Sequence, residues 1–481
     1  MLRTKAILKY LGFVLLFNAL FLCISASISF FLHENSFIPL LYGTLVCVAL
    51  GILPQIFIEK IEDITFQEGI AISVLGWIIT CLVGTIPYLV WGGEFTLANS
   101  LFESVSGFTT TGATILNDVE ILPKGLLFWR ASTHFIGGIG IILFVLVILP
   151  EKKRLRSSIY HSEVSGLSML NFRMKTKKIV NIIAIVYISL ITVETVLLKF
   201  FGMNWFDAVC HSFATVATGG FSTKNASVAY YNSISIEIII MFFMLISSMH
   251  FGLVYNTIRG KKLNIFTSNV VRAYVIVFVI GIFLVAAQLA SEKIYGPGES
   301  IRYAAFQVIS LGTTTGFSIV DTPHWPIFAI LIQMYFTIQC GMVGSTSGGL
   351  KFDRIYIYIK SMIKQIRLTK HPQGIYAIKI DGTLIDSDME LQTAVFILLY
   401  IITFFVTTLL LAAMNIDGMT AFSASIATIG NVGPGFGNVS SLGNYSSLPD
   451  AAKYVLSANM LLGRLEIMNI MVFLTMLRPK R

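Results

Sequence analysis

Four short segments rich in threonine and glycine hold the residues of this chain best suited to chemistry, and that chemistry is cation coordination. They are Thr-Thr-Thr-Gly-Ala at 109–113, Ala-Thr-Gly-Gly-Phe at 217–221, Thr-Thr-Thr-Gly-Phe at 313–317 and Asn-Val-Gly-Pro-Gly at 431–435. A cation that enters a bilayer must exchange its water shell for a ring of oxygens, and backbone carbonyls from several loops can supply that ring. Glycine permits the backbone such a loop requires, and threonine hydroxyls add acceptors and donors that hold it. The central glycines Gly112, Gly220, Gly316 and Gly433 recur about one hundred residues apart, room for two spans plus a re-entrant loop.

The elements that must position these loops repeat with them. Each loop follows a hydrophobic run and a short segment (98–107, 206–215, 304–312, 421–429) too small to cross a bilayer, and a further hydrophobic run comes after it. The unit reads as helix, half-helix, loop, helix. Glycine serving only helix packing would account for one such loop; four in register point to a shared pore. The composition agrees: 55% hydrophobic and 12% charged residues with mean hydropathy +0.80 describe a polytopic membrane protein, not a water-soluble globule. Spanning helices are predicted at 8–32, 37–58, 69–91, 126–149, 179–201, 234–258, 270–290, 326–363 (overlong and glycine-broken), 391–414 and 452–477, about ten spans. The first run has spanning length and lacks a small-residue cleavage site, so it reads as a span and not as a signal peptide.

Lysine and arginine fix the orientation, because short cytoplasmic loops collect them. Lys152, Lys153, Arg154, Arg156, Arg173, Lys175, Lys177 and Lys178 mark one side. The same side receives Arg259, Lys261, Lys262, the six basic residues of 351–370, and Arg478, Lys480 and Arg481. With Arg3, Lys5 and Lys9 at the start and an even span count, both termini fall in the cytoplasm. Each unit crosses an even number of times, so the four copies are parallel, unlike the inverted repeats of many carriers, and can close around one axis. Half-helices running inward would turn their negative C-terminal ends toward a cation. The net charge of +9 is then a topology signal with anionic lipid headgroups as neighbours, and no soluble basic domain for nucleic acid is present.

Other chemistries find little support. Cys23, Cys47, Cys81, Cys210 and Cys340 lie in apolar stretches without metal or redox spacing. His134, His211, His250 and His371 are scattered and read as satisfied core or interface histidines. Residues 344–351 (Gly-Ser-Thr-Ser-Gly-Gly-Leu-Lys) superficially suggest a phosphate loop, but Gly-Lys-Ser/Thr is missing and no preceding strand is expected. With no HExxH, nucleophile elbow or clustered aspartates, the chain does not read as an enzyme.

Taken together, the residues resemble the Trk/Ktr/HKT superfamily of potassium transporters, most closely its bacterial TrkH branch, over nearly the whole chain. Besides the four loops, the resemblance rests on Trp129-Arg130, Gly137-Gly138-Ile139-Gly140, residues 344–351, His371-Pro372 and Leu462-Gly463-Arg464-Leu465-Glu466. Two additional N-terminal helices favour TrkH over the shorter Ktr subunits. The implied fold is all-α: four parallel helix, pore-helix, filter-loop, helix repeats around a central pore. Its divisions are 1–68 (extra helices), 69–150 (repeat 1), 151–178 (basic cytoplasmic linker), 179–262 (repeat 2), 263–370 (repeat 3), 371–390 (cytoplasmic connection) and 391–481 (repeat 4).

The resemblance implies K⁺ uptake across the bacterial inner membrane, with K⁺ as the transported ion and no organic cofactor. Its filter would comprise Thr110, Thr111, Gly112, Thr218, Gly219, Gly220, Thr314, Thr315, Gly316, Asn431, Val432 and Gly433. Because the loops are not identical, K⁺ over Na⁺ selectivity is expected to be looser than in a symmetric channel, and Rb⁺ should pass. Glycine in the first loop, where related eukaryotic members carry serine, favours K⁺. The glycine-rich stretch with Gly344, Ser345, Thr346, Gly348 and Gly349 should break the third inner helix, since each glycine costs about 1 kcal/mol relative to alanine; in the family this break forms an intramembrane gate. Arg464 matches a family arginine beside that gate, with loop carbonyls or Glu466 as its acceptors. Arg130, Glu194 and Asp207 read as helix ties or interfacial charges. The implied partners are a second copy of the chain, for which the third inner helix and 353–370 are the first place to look, and a cytosolic RCK-type, TrkA-like ring that binds NAD(H) or ATP/ADP. The alternative is an H⁺- or Na⁺-coupled symporter of K⁺ or another small cation.

Overall fold

The computed structural model describes residues 2–59, 61, 64–140 and 176–476. Most of the expected basic linker (151–175), the second half of the span expected at 126–149 and the basic tail 478–481 lie outside the described residues. Two long helices, Thr4–Phe31 and Phe37–Phe57, form an antiparallel pair against the first repeat. Four units of one design follow. Their outer helices are Phe66–Gly84, Thr176–Phe200, Asn269–Ser291 and Ser387–Ala413, and their pore helices are Leu97–Phe108, Trp205–Val216, Pro297–Gly312 and Gly418–Ile429. The pore helices start on polar caps: Thr96, Asn204 and Asp417 accept backbone N–H bonds through their side chains, while Gly296 sits in a capping arrangement with Glu299.

The inner helices begin at Lys124, Ile234, Ile327 and Asp450. Each packs on the pore helix of the next repeat, first on second, second on third, third on fourth, and fourth back on first. That cyclic contact closes the ring. Six described helices are long and apolar enough to cross a membrane, and eight if each bent pair counts as one span.

The third inner helix is not alone in being interrupted: the second and fourth are as well. The first ends at Gly140 (φ 80°). The second turns by 107° between Ile234–Ser247 and Phe251–Ile258, and the fourth by 101° between Asp450–Arg464 and Ile467–Met476. The runs at 234–258 and 452–477 look continuous because apolar composition is blind to a Ser-Met-His turn or to Glu466 at φ 60°. In the third, Ile327–Ile338 gives way to an irregular loop before Phe352–Lys370. A two-residue strand, Gln339–Cys340, does precede that loop, against expectation; it pairs in parallel with Leu350–Lys351 and zips the loop's two ends together. A small antiparallel hairpin, Ile378–Ile380 with Thr383–Ile385, follows.

Candidate functional site

The four loops are built alike. In each, the pore helix ends in a Schellman-type turn: N–H groups of Thr110, Thr218, Thr314 and Asn431 reach back three residues, and those of Thr111, Gly219, Thr315 and Val432 reach back five. The first of these positions is left-handed in every repeat, with φ of 54°, 55°, 62° and 53°. Glycine is the usual occupant there, and a β-branched residue at positive φ is an outlier. Three threonines held in that geometry store strain of about 1–3 kcal/mol each, a cost that clusters at functional sites.

The glycines that follow, Gly112, Gly220, Gly316 and Gly433, also have positive φ, 77° to 94°. Each lies against a carbonyl oxygen of the next loop. A Cβ added at Gly112 would strike the carbonyl of Gly219, at Gly220 that of Thr315, at Gly316 that of Val432, and at Gly433 that of Thr111. The four contacts run in one sense and return to the first repeat, so the loops form a closed ring of backbone oxygens. The ring is enclosed by protein, since Thr110, Thr111, Thr218, Thr314, Thr315, Asn431 and Val432 are fully buried. Among the described residues, no backbone N–H donates to the carbonyls of Thr111, Thr315 or Val432. The hydroxyls of Thr110 and Thr314 and the amide oxygen of Asn431 also lack partners there. Gly433 differs, its carbonyl accepting the Tyr445 hydroxyl at 2.8 Å.

A second layer holds the ring, and sequence reasoning missed it. Nine residues before the loop glycine stand Glu103, His211 and Gln307; two residues after it stand Thr114, Ser222 and Ser318. The two positions bond in each case, at 3.0, 3.0 and 2.9 Å. The fourth repeat has Ala424 and Gly435 at these positions, and Ser423 bonds to the Phe436 backbone instead. The readable signal was a polar residue nine positions before the loop glycine in three of the four repeats. Arg130, buried, pairs with Glu103 at 2.6 Å, donates to the Ser222 carbonyl and covers the Phe221 ring at 3.5 Å, a tie between two repeats. Asp207 accepts from Thr223 at 2.6 Å. Glu194 is fully buried, with neither carboxyl oxygen hydrogen-bonded among the described residues.

On the outer side a cavity of about 140 Å³ touches all four loop glycines. Its rim is stitched at each junction: Asn225 to Asp118 and Val119, Ser318 to Ser227, Thr322 to Ser441, and Asn444 to Asn117. Lys224 sits there 3.4 Å from Glu120. Partial burial pulls its pKa down, but Glu120 and Asp207 outweigh this and the net shift is upward.

On the inner side lies the irregular loop of the third repeat. Phe251 N–H donates to the Gly344 carbonyl and Met342 N–H to that of Ser248, while the Thr346 hydroxyl donates to Val216 at the end of the second pore helix. Gly348 abuts the Asn431 side chain and Gly349 abuts Gly430. Ser345 bonds to Met342 and Ser347, and the Lys351 ammonium donates to the Ser347 carbonyl. Arg464 donates to the Thr346 carbonyl at 2.6 Å and to the Gly137 carbonyl. Glu466, the other acceptor expected for Arg464, pairs with Arg354 at 2.8 Å. The sequence-predicted loop and gate residues therefore meet at one place, with the outer cavity above the ring and the irregular loop beneath it.

Residues 41–481 match the family model described as TrkH, cation transport protein. The chain is 31% identical to the Trk system potassium uptake protein TrkH of Halomonas elongata, with 98% of each covered. It is 34% identical to the protein of that name from Escherichia coli K12, with 86% of each covered. The crystal structure of the potassium transporter TrkH from Vibrio parahaemolyticus superposes with a TM-score of 0.87 at 28% identity, covering 99% of both chains.

Proposed function

Since the chain belongs to the TrkH cation transport family, and so is an inner-membrane transporter and not an enzyme, we propose that it takes up K⁺ through the ring formed by its four loops. The relatives are named potassium uptake proteins, and the observation that carries the reading is the ring's closure: each loop glycine lies against a carbonyl of the next loop, from the first repeat round to the fourth and back. A dehydrated cation needs such a set of oxygens, and irregular backbone at membrane depth is tolerated where it lines a water path. Thr110, Thr111, Gly112, Thr218, Gly219, Gly220, Thr314, Thr315, Gly316, Asn431, Val432 and Gly433 form the selectivity filter in this reading. The unpartnered oxygens of Thr110, Thr314 and Asn431 are accounted for as additional ligands, since buried polar atoms without protein partners call for one.

The loop containing Gly344, Ser345, Thr346, Gly348 and Gly349 is the gate, and Arg464 its latch. Its position against Asn431 and Val216 supports this, because an open pathway requires it to move aside. A guanidinium at membrane depth must also be held by acceptors, and two of those held by Arg464 belong to different repeats. The relatives' naming as parts of a Trk system supports partner subunits, and we assign these to an RCK-type ring and a second copy of the chain. Exposed Ile359, Met362 and Ile366 on the basic cytoplasmic helix Phe352–Lys370 offer a surface for either.

The test is ⁸⁶Rb⁺ uptake into K⁺-loaded proteoliposomes containing the purified chain. Uptake suppressed by excess external K⁺ and spared by equal Na⁺ is expected; equal suppression by both ions would overturn K⁺ selectivity.

A further inference from the structure

His134 lies on the first inner helix, fully buried, between two neighbouring loops. Its Nδ1 is 2.7 Å from the Gly107 carbonyl, and its Nε2 accepts the Phe221 N–H at 3.1 Å. A carbonyl can only accept, so Nδ1 carries the proton; an N–H can only donate, so Nε2 carries the lone pair. The two partners fix one neutral tautomer. The ring also stacks on Phe221 with centroids 4.2 Å apart and 20° between planes, and Gly219 packs directly on it, leaving no room for a side chain.

Both partners belong to the ring's frame. The Gly107 carbonyl is the one that accepts the Thr110 N–H, closing the turn that forces Thr110 into its left-handed conformation in the first loop. Phe221 directly follows Gly220 in the second loop. One imidazole therefore pins the base of the first loop and the exit of the second. One helical turn earlier, Arg130 reaches Ser222 and Phe221 from the same helix, but it does so through charge and pairs with Glu103. Counted from the starts of their helices, the second, third and fourth inner helices carry Met244, Thr337 and Met460 at this level. The Thr337 hydroxyl bonds within its own helix to Gln333, and in the fourth helix it is the neighbouring Asn459 that donates to Ser425 and Thr428 of the pore helix. At the junction of the first and second repeats the brace is an imidazole that joins two loops, whereas Asn459 ties the fourth inner helix to its own pore helix.

We propose that His134 is a positioning residue for ion selection, holding the carbonyls of the first and second loops at the spacing a dehydrated K⁺ requires. The inference rests on the reading of the loops as the filter. A glutamine can present one N–H and one oxygen in place of the two ring nitrogens, whereas leucine offers neither.

The experiment compares ⁸⁶Rb⁺ with ²²Na⁺ uptake in proteoliposomes for the wild type, His134→Gln, His134→Leu and Gly316→Ser. His134→Leu is expected to lower the Rb⁺/Na⁺ ratio at least fivefold, with His134→Gln staying within twofold of wild type. A wild-type ratio in His134→Leu beside a collapsed ratio in Gly316→Ser overturns the role of His134 alone. Unchanged ratios in both overturn the filter reading, and the proposal with it. Should His134→Leu fail to fold, ¹⁵N NMR of histidine-labelled wild type decides: a hydrogen-bonded Nδ1–H with unprotonated Nε2 is expected, and the opposite tautomer overturns the brace.

Discussion

The Arg464 guanidinium stands 2.6 Å from the carbonyl of Thr346, and through Gly137 the same side chain reaches the first inner helix. A residue of the fourth repeat thereby fastens a loop of the third to a helix of the first. Between its strand-paired ends the loop has no regular structure, so its position beneath the ring depends on such ties, those of Gly344 to Phe251 and Thr346 to Val216 among them.

Removing that tie should favour the displaced loop. Hydrogen bonds to a charged group contribute about 1.5–3 kcal/mol each, so Arg464→Ala should raise Rb⁺ flux about tenfold or more without any cytosolic partner. Arg464→Lys, with a point charge but no fork, should fall between. Rb⁺ efflux from loaded liposomes measures this, and an Arg464→Ala flux at or below wild type would refute the latch.

Gly433→Ala should abolish selective flux, because its Cβ would displace the Thr111 carbonyl at a backbone φ of 94°. Gly93→Ala is the control. Gly93 also has positive φ, 64°, but has nothing within 4 Å. That change should cost about 1 kcal/mol of stability and leave transport intact, as paired thermal melts and uptake assays would register.

Tyr445→Phe deletes the hydroxyl that holds the Gly433 carbonyl. The fourth loop already lacks the side-chain brace seen in the other three, so the loss should fall on selectivity before stability. A two- to fivefold drop in Rb⁺/Na⁺ ratio with unchanged melting is expected, measured by competition uptake; unchanged selectivity would show that the carbonyl is fixed without the tyrosine.

Arg302→Ala tests a tie outside the ring. Glu237 is 2% exposed and accepts two bonds from Arg302, and stranding one partner of a buried pair costs about 3–5 kcal/mol. Arg302 is itself 25% exposed, so the lower end of that range is expected. The melting temperature should fall, and adding Glu237→Gln should recover most of the loss; no recovery would mean that packing, not the stranded charge, is responsible.

How much of this was legible in the sequence varies with how local the cause is. The loops could be read because glycine and threonine recur at one register, and the third-helix break because glycines crowd it. The bends at Ser248 to His250 and at Glu466 were hidden inside uniformly apolar runs, where hydropathy sums over the turn. Arg464 was legible as a membrane-depth charge, but its choice of Thr346 over Glu466 depends on where Arg354 lies, and no spacing encodes that. Glu103, His211 and Gln307 share an offset that the sequence displays but not a residue type, so the offset could be read while the bond it makes could not. His134 reads as a satisfied core or interface histidine, and it is satisfied; what the sequence does not contain is that its partners Gly107 and Phe221 flank adjacent loops.

The central claim is that the four loops together surround the transported ion. Anomalous diffraction from crystals of the protein grown in RbCl tests it without depending on the gate. Rubidium should appear on the axis between the carbonyls of Thr111, Gly219, Thr315 and Val432. Rubidium bound elsewhere in the protein, with that ring empty, would contradict the account.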